Sequence, residues 1–274
     1  MTDALLPDDG ELRLGSLILP GKRVRATSGP GEPVAWITDQ PVPAAGRIWL
    51  AMSAMAAETG LQPVLHIAVG GGRPENDFYA PCDVTQLDEM SAEQILADLW
   101  RQKTVEIVDG KALEEGDPGF DPRLAEHYKP FSRQFPGLAP SPDMKLTEAE
   151  TSRAVDSLPA AHLCLVAASR AADIPAAVGW MATDAWSSAL PVSAVLRSWE
   201  ERFEARLVQI GPGAELRLLV GRPPRTLAAA EAITAELWAF CDAWVDQHHE
   251  LELTSIRRIA PHAIAAPIWG FWWD

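Results

Sequence analysis

The sequence predicts a soluble α+β protein, and three observations lead to this class. Strand-like and helix-like hydrophobic patterns follow one another along the 274 residues. Hydrophobic residues make up 47% and charged residues 22% of the chain, which is typical of globular and not of disordered proteins. No apolar run approaches the roughly 20 residues that a membrane-spanning helix needs. We expect a C-terminal ferredoxin-like (split βαβ) sandwich together with an N-terminal α/β region.

The N-terminal α/β region is predicted to span residues 1–108. Leucines within residues 12–19 are compatible with one edge strand. Residues 34–38 form a strand pattern, residues 46–59 a helix pattern that ends at a glycine, and residues 61–69 a second apolar strand pattern. This order predicts a β-α-β unit.

The middle segment, residues 109–158, is rich in Gly, Pro and Asp and predicts a linker with short helices on the surface. Asp121 followed by Pro122 is a favourable start for one short helix. Thr147 and Glu150 have the spacing of a capping box, in which each residue satisfies a free backbone donor of the other. A second helix should therefore begin at this point and lead into the C-terminal region.

The C-terminal α+β domain is predicted to span residues 159–274. Its patterns follow the order strand, helix, strand, strand, helix, strand, which is the order of the split βαβ fold. The main elements are expected at residues 161–168, 191–204, 205–210, 215–220, 226 to about 247, and 268–274. Asp173 is expected to cap an additional short helix, and Leu227 to lie on the buried face of the long helix.

The last strand is unusual because it is almost entirely aromatic. Side chains of a strand alternate between the two faces of the sheet, so Trp269, Phe271 and Trp273 should share one face and Trp272 should lie on the other. We expect the first three in the core. If helices cover only one face of the sheet, Trp272 is left partly exposed as a binding platform.

Charge and cysteine content indicate in which compartment the chain is found and which kinds of partner it can bind. The formal net charge of −15 would repel phosphate backbones, so nucleic-acid binding is not expected. Cys82, Cys164 and Cys241 are far apart and odd in number, which predicts reduced thiols and not a disulfide framework. The acidic N-terminus lacks the features of a signal peptide. We therefore expect a cytoplasmic protein with no membrane association.

Three segments carry a resemblance to a known family. Residues 135–140 (Phe-Pro-Gly-Leu-Ala-Pro), residues 190–203 and the terminal Trp-Gly-Phe-Trp-Trp-Asp at 269–274 are similar to the bacterial family of domains of unknown function numbered 4253. The resemblance is strongest over residues 160–274, and residues before 109 resemble the N-terminal part of actinobacterial members. The resemblance implies that the chain is related to this family and has a bacterial source, but it implies no activity.

Local motifs for chemistry are weak. The glycine run at 70–72 follows a strand pattern, but it lacks the spacing of a nucleotide-binding loop. His248 and His249 fit a solvated helix end better than a metal site, because adjacent side chains there point in different directions. We expect no catalytic motif, no metal and no cofactor. The candidate binding residues are Trp272, Trp186, His248 and His249.

Two classes of function remain open from the sequence. The high charge, the 11 tryptophans and the lack of a catalytic motif favour a non-catalytic interaction or inhibitor-type protein with a protein partner. The alternative is an enzyme whose site is assembled between the two regions, since catalytic groups are recognised by geometry and not by position in the chain. A cleft that gathers histidines or carboxylates from both halves would favour the enzyme, and a flat aromatic patch would favour the binding protein.

Overall fold

A computed structural model gives the fold, and it describes most of the chain. The described residues are 6–28, 31–67, 77–105, 107–108, 111–112, 122–180, 188–211, 214–241, 243 and 255–273.

Ten strands and eight helices lie within the described residues, together with short 3-10 helices at Val84–Glu89 and Ala171–Asp173. The strands are β1 (Gly10–Leu14), β2 (Leu17–Arg25), β3 (Pro33–Thr38), β4 (Leu61–His66), β5 (Ile107–Val108), β6 (Lys111–Ala112), β7 (His162–Ala167), β8 (Ala205–Ile210), β9 (Glu215–Val220) and β10 (Ile268–Trp272). The helices are α1 (Ala45–Thr59), α2 (Ala92–Thr104), α3 (Pro122–His127), α4 (Glu148–Asp156), α5 (Ile174–Val178), α6 (Leu190–Phe203), α7 (Leu227–Phe240) and α8 (Ile256–Ala263).

One eight-stranded sheet organises the molecule, with the strand order β1-β2-β3-β7-β4-β8-β9-β10. Among its described pairs, only β4 and β8 run parallel. The other six pairs are antiparallel. It follows that β1, β3, β4, β8 and β10 point the same way and end at one edge, which we call the carboxyl edge.

The sheet is covered on both faces, because each central strand sends apolar side chains alternately to two cores. Leu163 and Leu165 of β7 join a smaller core with α1, α4 and Trp36. Cys164 and Val166 of the same strand join a larger core with α2 and α5 to α8. Buried polar side chains in these strands are therefore informative, since apolar packing surrounds them.

The predicted β-α-β unit is confirmed as β3, α1 and β4, and α1 ends where expected. Gly60 follows α1 with a φ of 68°, and its N–H donates to Ala56 O. This left-handed conformation is the one that favours glycine after a helix. The single edge strand expected near residues 12–19 is instead the hairpin β1–β2, which lies at the end of the sheet.

The ferredoxin-like arrangement predicted for residues 159–274 is not confirmed. A split βαβ sandwich would build its sheet from β7, β8, β9 and β10 alone. Instead, β4 from the N-terminal region pairs with β7 on one side and with β8 on the other. The two predicted regions therefore share one sheet, and the molecule is α+β in content with strands interleaved from both.

Several local predictions in this region are wrong in detail. Asp173 occupies the N-cap position of α5, as predicted, but its side chain makes no capping hydrogen bond, because its carboxylate accepts from Arg197 Nε at 2.5 Å instead. Leu227 is 48% exposed at the first position of α7 and does not lie in the core. Helix α8, between α7 and β10, is an additional element. The hairpin β8–β9 has the predicted bounds.

The predicted linker contributes to the larger core. Ala125, Tyr128 and Ala139 are buried there. Glu236, which is fully buried on α7, holds this segment in place. Its carboxylate accepts hydrogen bonds from Ala139 N at 2.6 Å and Trp199 Nε1 at 2.9 Å, and from both Nη atoms of Arg202 at 2.8 and 2.6 Å.

Candidate functional site

Of the four predicted binding residues, only Trp272 lies within the described residues. It is half-buried on the edge strand β10, opposite Glu215 of β9. The pleat separates it from Trp269, Phe271 and Trp273, which are buried as expected. Trp186, His248 and His249 lie outside the described residues, so their predicted role stays a prediction.

Most tryptophans in the described part of the chain pack in the hydrophobic cores. Seven tryptophans are fully buried there: Trp36, Trp49, Trp100, Trp180, Trp199, Trp238 and Trp269. Trp199, for example, stacks on Phe271 with ring centroids 5.4 Å apart. Tryptophan abundance therefore gives no support for a flat aromatic binding patch.

A cavity of about 450 Å³ opens beside the amino end of β8. Its lining combines the start of α4, the end of α6 and the strands β8 and β9. The lining residues are Lys145, Leu146, Thr151, Glu200, Glu204, Arg206, Leu219 and Gly221. The volume is within the usual range of ligand pockets, about 300–1,000 Å³.

Two cations, Lys145 and Arg206, line this cavity, and the Arg206 guanidinium makes no hydrogen bond or short ion pair among the described residues. It lies over the ring of Trp49, with 5.1 Å between the guanidinium carbon and the ring centroid. Burial lowers the pKa of Arg206 below its usual value, and the negative charges of Glu200 and Glu204 only partly oppose this shift. A desolvated guanidinium with free donors is suited to hold a carboxylate or phosphate through two parallel hydrogen bonds.

The two carboxylates of the cavity are each engaged by other cations. Glu200 Oε2 accepts from Arg170 Nε at 2.6 Å. Glu204 Oε1 contacts Lys145 Nζ at 2.5 Å and Arg222 Nε at 2.9 Å. Burial raises the pKa of Glu204, but these two cations lower it by more, so it lies below its usual value. The cavity therefore leaves Arg206 available to an outside anion.

A second polar group lies at the carboxyl edge, on the opposite face of the sheet. His66, the last residue of β4, is only 1% exposed, and its Nε2 lies 2.6 Å from Asp77 Oδ2. An ionised carboxylate only accepts, so Nε2 carries a proton, and in the neutral ring Nδ1 keeps its lone pair. Nδ1 is buried and has no hydrogen-bond partner in the described structure. A buried acceptor without a partner costs about 1–3 kcal/mol.

The backbone around Asp77 is fixed by the end of α5. Tyr79 N donates to Gly179 O at 3.2 Å, and Phe78 forms an isolated β-bridge with Trp180. Gly179 has a φ of 63°, and a Cβ there would lie 2.2 Å from Ala80 O, so only glycine fits. Phe78 in turn packs edge-on against the His66 ring, with centroids 6.5 Å apart.

A second imidazole lies directly across from His66. His162, the first residue of β7, pairs with His66 in the antiparallel register, so both side chains leave the same face. His162 Nδ1 donates to Thr38 O at 2.7 Å. Its Nε2 is therefore a free acceptor in the neutral ring. This group gathers histidines from both halves of the chain.

Neither site could be found from local sequence motifs. Arg206 alternates with apolar residues in β8, which is the pattern of an ordinary outward-facing side chain. His66 ends an apolar strand, and Asp77 follows it 11 residues later without a motif. The only signal was a polar residue at the end of a buried strand.

Metal and membrane features are absent from the part of the chain that the structure describes. No group of three or more His, Cys, Asp and Glu side chains is placed there to hold a metal ion. None of the described helices has the length and apolar character that crossing a bilayer requires.

Comparison with known proteins gives one match. No curated protein and no solved structure matches the chain. Residues 162–274, from β7 to the last residue, match the family model described as Domain of unknown function (DUF4253). The C-terminal part of the chain is therefore similar to this domain family.

Proposed function

We propose that the cavity at Arg206 is a non-catalytic binding site that holds the carboxylate of a ligand. The observation that carries this proposal is the unpaired guanidinium at the cavity wall. The neighbouring acids Glu200 and Glu204 are already engaged by Arg170, Lys145 and Arg222. Apolar side chains of Leu146 and Leu219 complete the lining, which suits a carboxylate attached to a short apolar chain.

Two kinds of ligand can present a carboxylate to Arg206: a free small acid, or an acidic residue of a protein partner. The net charge of −15 disfavours approach of an acidic protein at long range. A small acid carries less charge and suffers less repulsion. The interaction or inhibitor-type role with a protein partner then requires that the partner present a single carboxylate, for example its C-terminus.

Isothermal titration with glutarate and with a neutral peptide that has a free C-terminus separates these sources. We expect binding of at least one probe, and at least a tenfold loss for Arg206→Met, about 1.4 kcal/mol. Arg206→Lys should also bind more weakly, because an ammonium cannot form the two-pronged contact. Folding of both variants should persist, since Glu200 and Glu204 keep their other partners.

Arg217→Met is the matched control. Arg217 lies on the neighbouring strand β9 and does not line the cavity. This variant should bind as the wild-type protein does. Absence of binding for both probes at millimolar concentration, or equal binding by Arg206→Met, would overturn the proposal.

Two further properties stay proposals on the sequence argument alone. We place the protein in the cytoplasm, because Cys82, Cys164 and Cys241 are far apart and odd in number, which is typical of reduced thiols. We also propose a bacterial source from the resemblance over residues 160–274, and an actinobacterial-type one from the resemblance of the residues before 109. Fractionation of the native cells, with immunodetection of the chain, tests the location.

A further inference from the structure

The polar group around His66 supports an inference beyond ligand binding at Arg206, and it consists of other residues than those that line the cavity. His66 and Asp77 come from the N-terminal region, whereas His162 comes from the C-terminal region. All three lie where β4 ends at the carboxyl edge. β4 and β8 are the parallel pair of this sheet, and ligands often bind outside the carboxyl ends of parallel strands.

We infer that His66 is the general base of a hydrolytic site, with Asp77 and His162 as positioning residues. Asp77 holds the ring through Nε2, so that the lone pair of Nδ1 is fixed in direction. His162 places a second acceptor nitrogen on the same face, one strand away. Two acceptor nitrogens from facing strands suit a water molecule, which donates two hydrogen bonds.

The reaction balances without a cofactor. One O–H bond of the water breaks, the proton passes to His66 Nδ1, and the oxygen keeps the electron pair and attacks an acyl carbon. The imidazolium that forms is stabilised by the Asp77 carboxylate. His66 then returns the proton to the leaving group as the bond between the acyl carbon and the leaving group breaks. The Phe78 ring against His66, together with the net charge of −15, favours an uncharged ester or amide substrate.

Hydrolysis of p-nitrophenyl acetate by the full-length protein tests this inference. General-base catalysis contributes about 10²–10⁴-fold, so His66→Gln should lower kcat at least 100-fold. Asp77→Asn should lower kcat while leaving KM unchanged, and His162→Gln should do the same more weakly. His262→Gln, at an exposed position of α8, is the control and should hydrolyse at the wild-type rate.

A measurement on the unmodified protein covers the case in which a variant fails to fold. A long-range ¹H–¹⁵N NMR spectrum should show His66 with a protonated Nε2 and an unprotonated Nδ1. A protonated Nδ1 in the wild-type protein would overturn the inference. So would a folded His66→Gln variant that hydrolyses the ester as fast as the wild-type protein.

Discussion

Removing the charge of Glu236 should destabilise the protein strongly, because this buried carboxylate joins three parts of the chain. It accepts four hydrogen bonds, from the backbone at Ala139, from Trp199 and from both Nη atoms of Arg202. In Glu236→Gln the amide nitrogen faces donors, so one side of the network loses its acceptor. Arg202 also keeps a charge without a full partner.

The magnitude follows from this geometry. Breaking a buried ion pair by changing one partner costs about 3–5 kcal/mol. The whole stability of a domain is about 5–15 kcal/mol, so the loss is a large share of it. Urea unfolding followed by tryptophan fluorescence and far-UV circular dichroism should show a lower midpoint with an unchanged slope.

Glu201→Gln is the matched control for the Glu236 substitution. Glu201 also contacts an arginine, with 2.9 Å to Arg170, but its side chain is 65% exposed. Exposed ion pairs contribute about 0–1 kcal/mol, so this variant should unfold almost as the wild-type protein does. A loss below 1 kcal/mol for Glu236→Gln, or equal losses for both variants, would refute the reasoning.

Three further predictions concern the edge strand, the cavity wall and the shared sheet. Trp273→Ala should cost about 3–5 kcal/mol in thermal or urea unfolding, and Trp272→Ala about 1 kcal/mol or less, because only Trp273 is buried. Equal small losses would mean that β10 is a surface feature. The pKa of Glu204 lies below its usual value of 4.5, so its carboxylate stabilises the fold above the unfolded-state pKa, and this contribution is lost as pH falls through the folded-state pKa. The stability difference between wild type and Glu204→Gln should therefore be fully present at pH 7 and shrink as the pH falls below about 4.5, and a difference that does not shrink on such acidification contradicts this. A protease should cut first between about residues 110 and 141, where the sequence is rich in Gly, Pro and Asp, and the two fragments should elute together in gel filtration, since β7 lies between β3 and β4. Separation of the fragments without denaturant would contradict the interleaved sheet.

Local elements of this fold could be predicted from the sequence because local physics determines them. The hairpin β8–β9 and helix α6 appear at the predicted places, and the burial of Trp269, Phe271 and Trp273 follows from simple alternation. The capping box at Thr147 is also present in full. Each of these features depends on residues within about one turn or one strand of each other.

The strand order could not be predicted from the sequence. The alternation of apolar and polar residues shows on which face of the sheet a side chain lies, but it does not show which strands are neighbours. β4 pairs with β8 across roughly 140 residues of sequence. Nothing in the apolar pattern of β4 distinguishes β8 from β9 as its partner. The predicted split βαβ arrangement is not confirmed for this reason.

The two candidate sites were missed for a related reason, since each depends on contacts from distant elements. Arg206 is special only because Trp49 of α1 lies under it and the nearby acids are engaged elsewhere. His66 is special only because Asp77 returns to it through the contacts of Phe78 with the end of α5. Sequence alone shows one arginine in a strand and one histidine at its end.

The positions of the two sites imply that they act independently. β4 and β8 run parallel, and His66 lies opposite Ile210 at the carboxyl edge, whereas Arg206 lies four residues earlier on β8. This separation is about 13 Å along the strand. Arg206 also faces the smaller core with Trp49, while His66 contacts Phe78 of the larger core. A ligand held at Arg206 is therefore not the substrate of His66, and a result at one site neither supports nor weakens the proposal for the other.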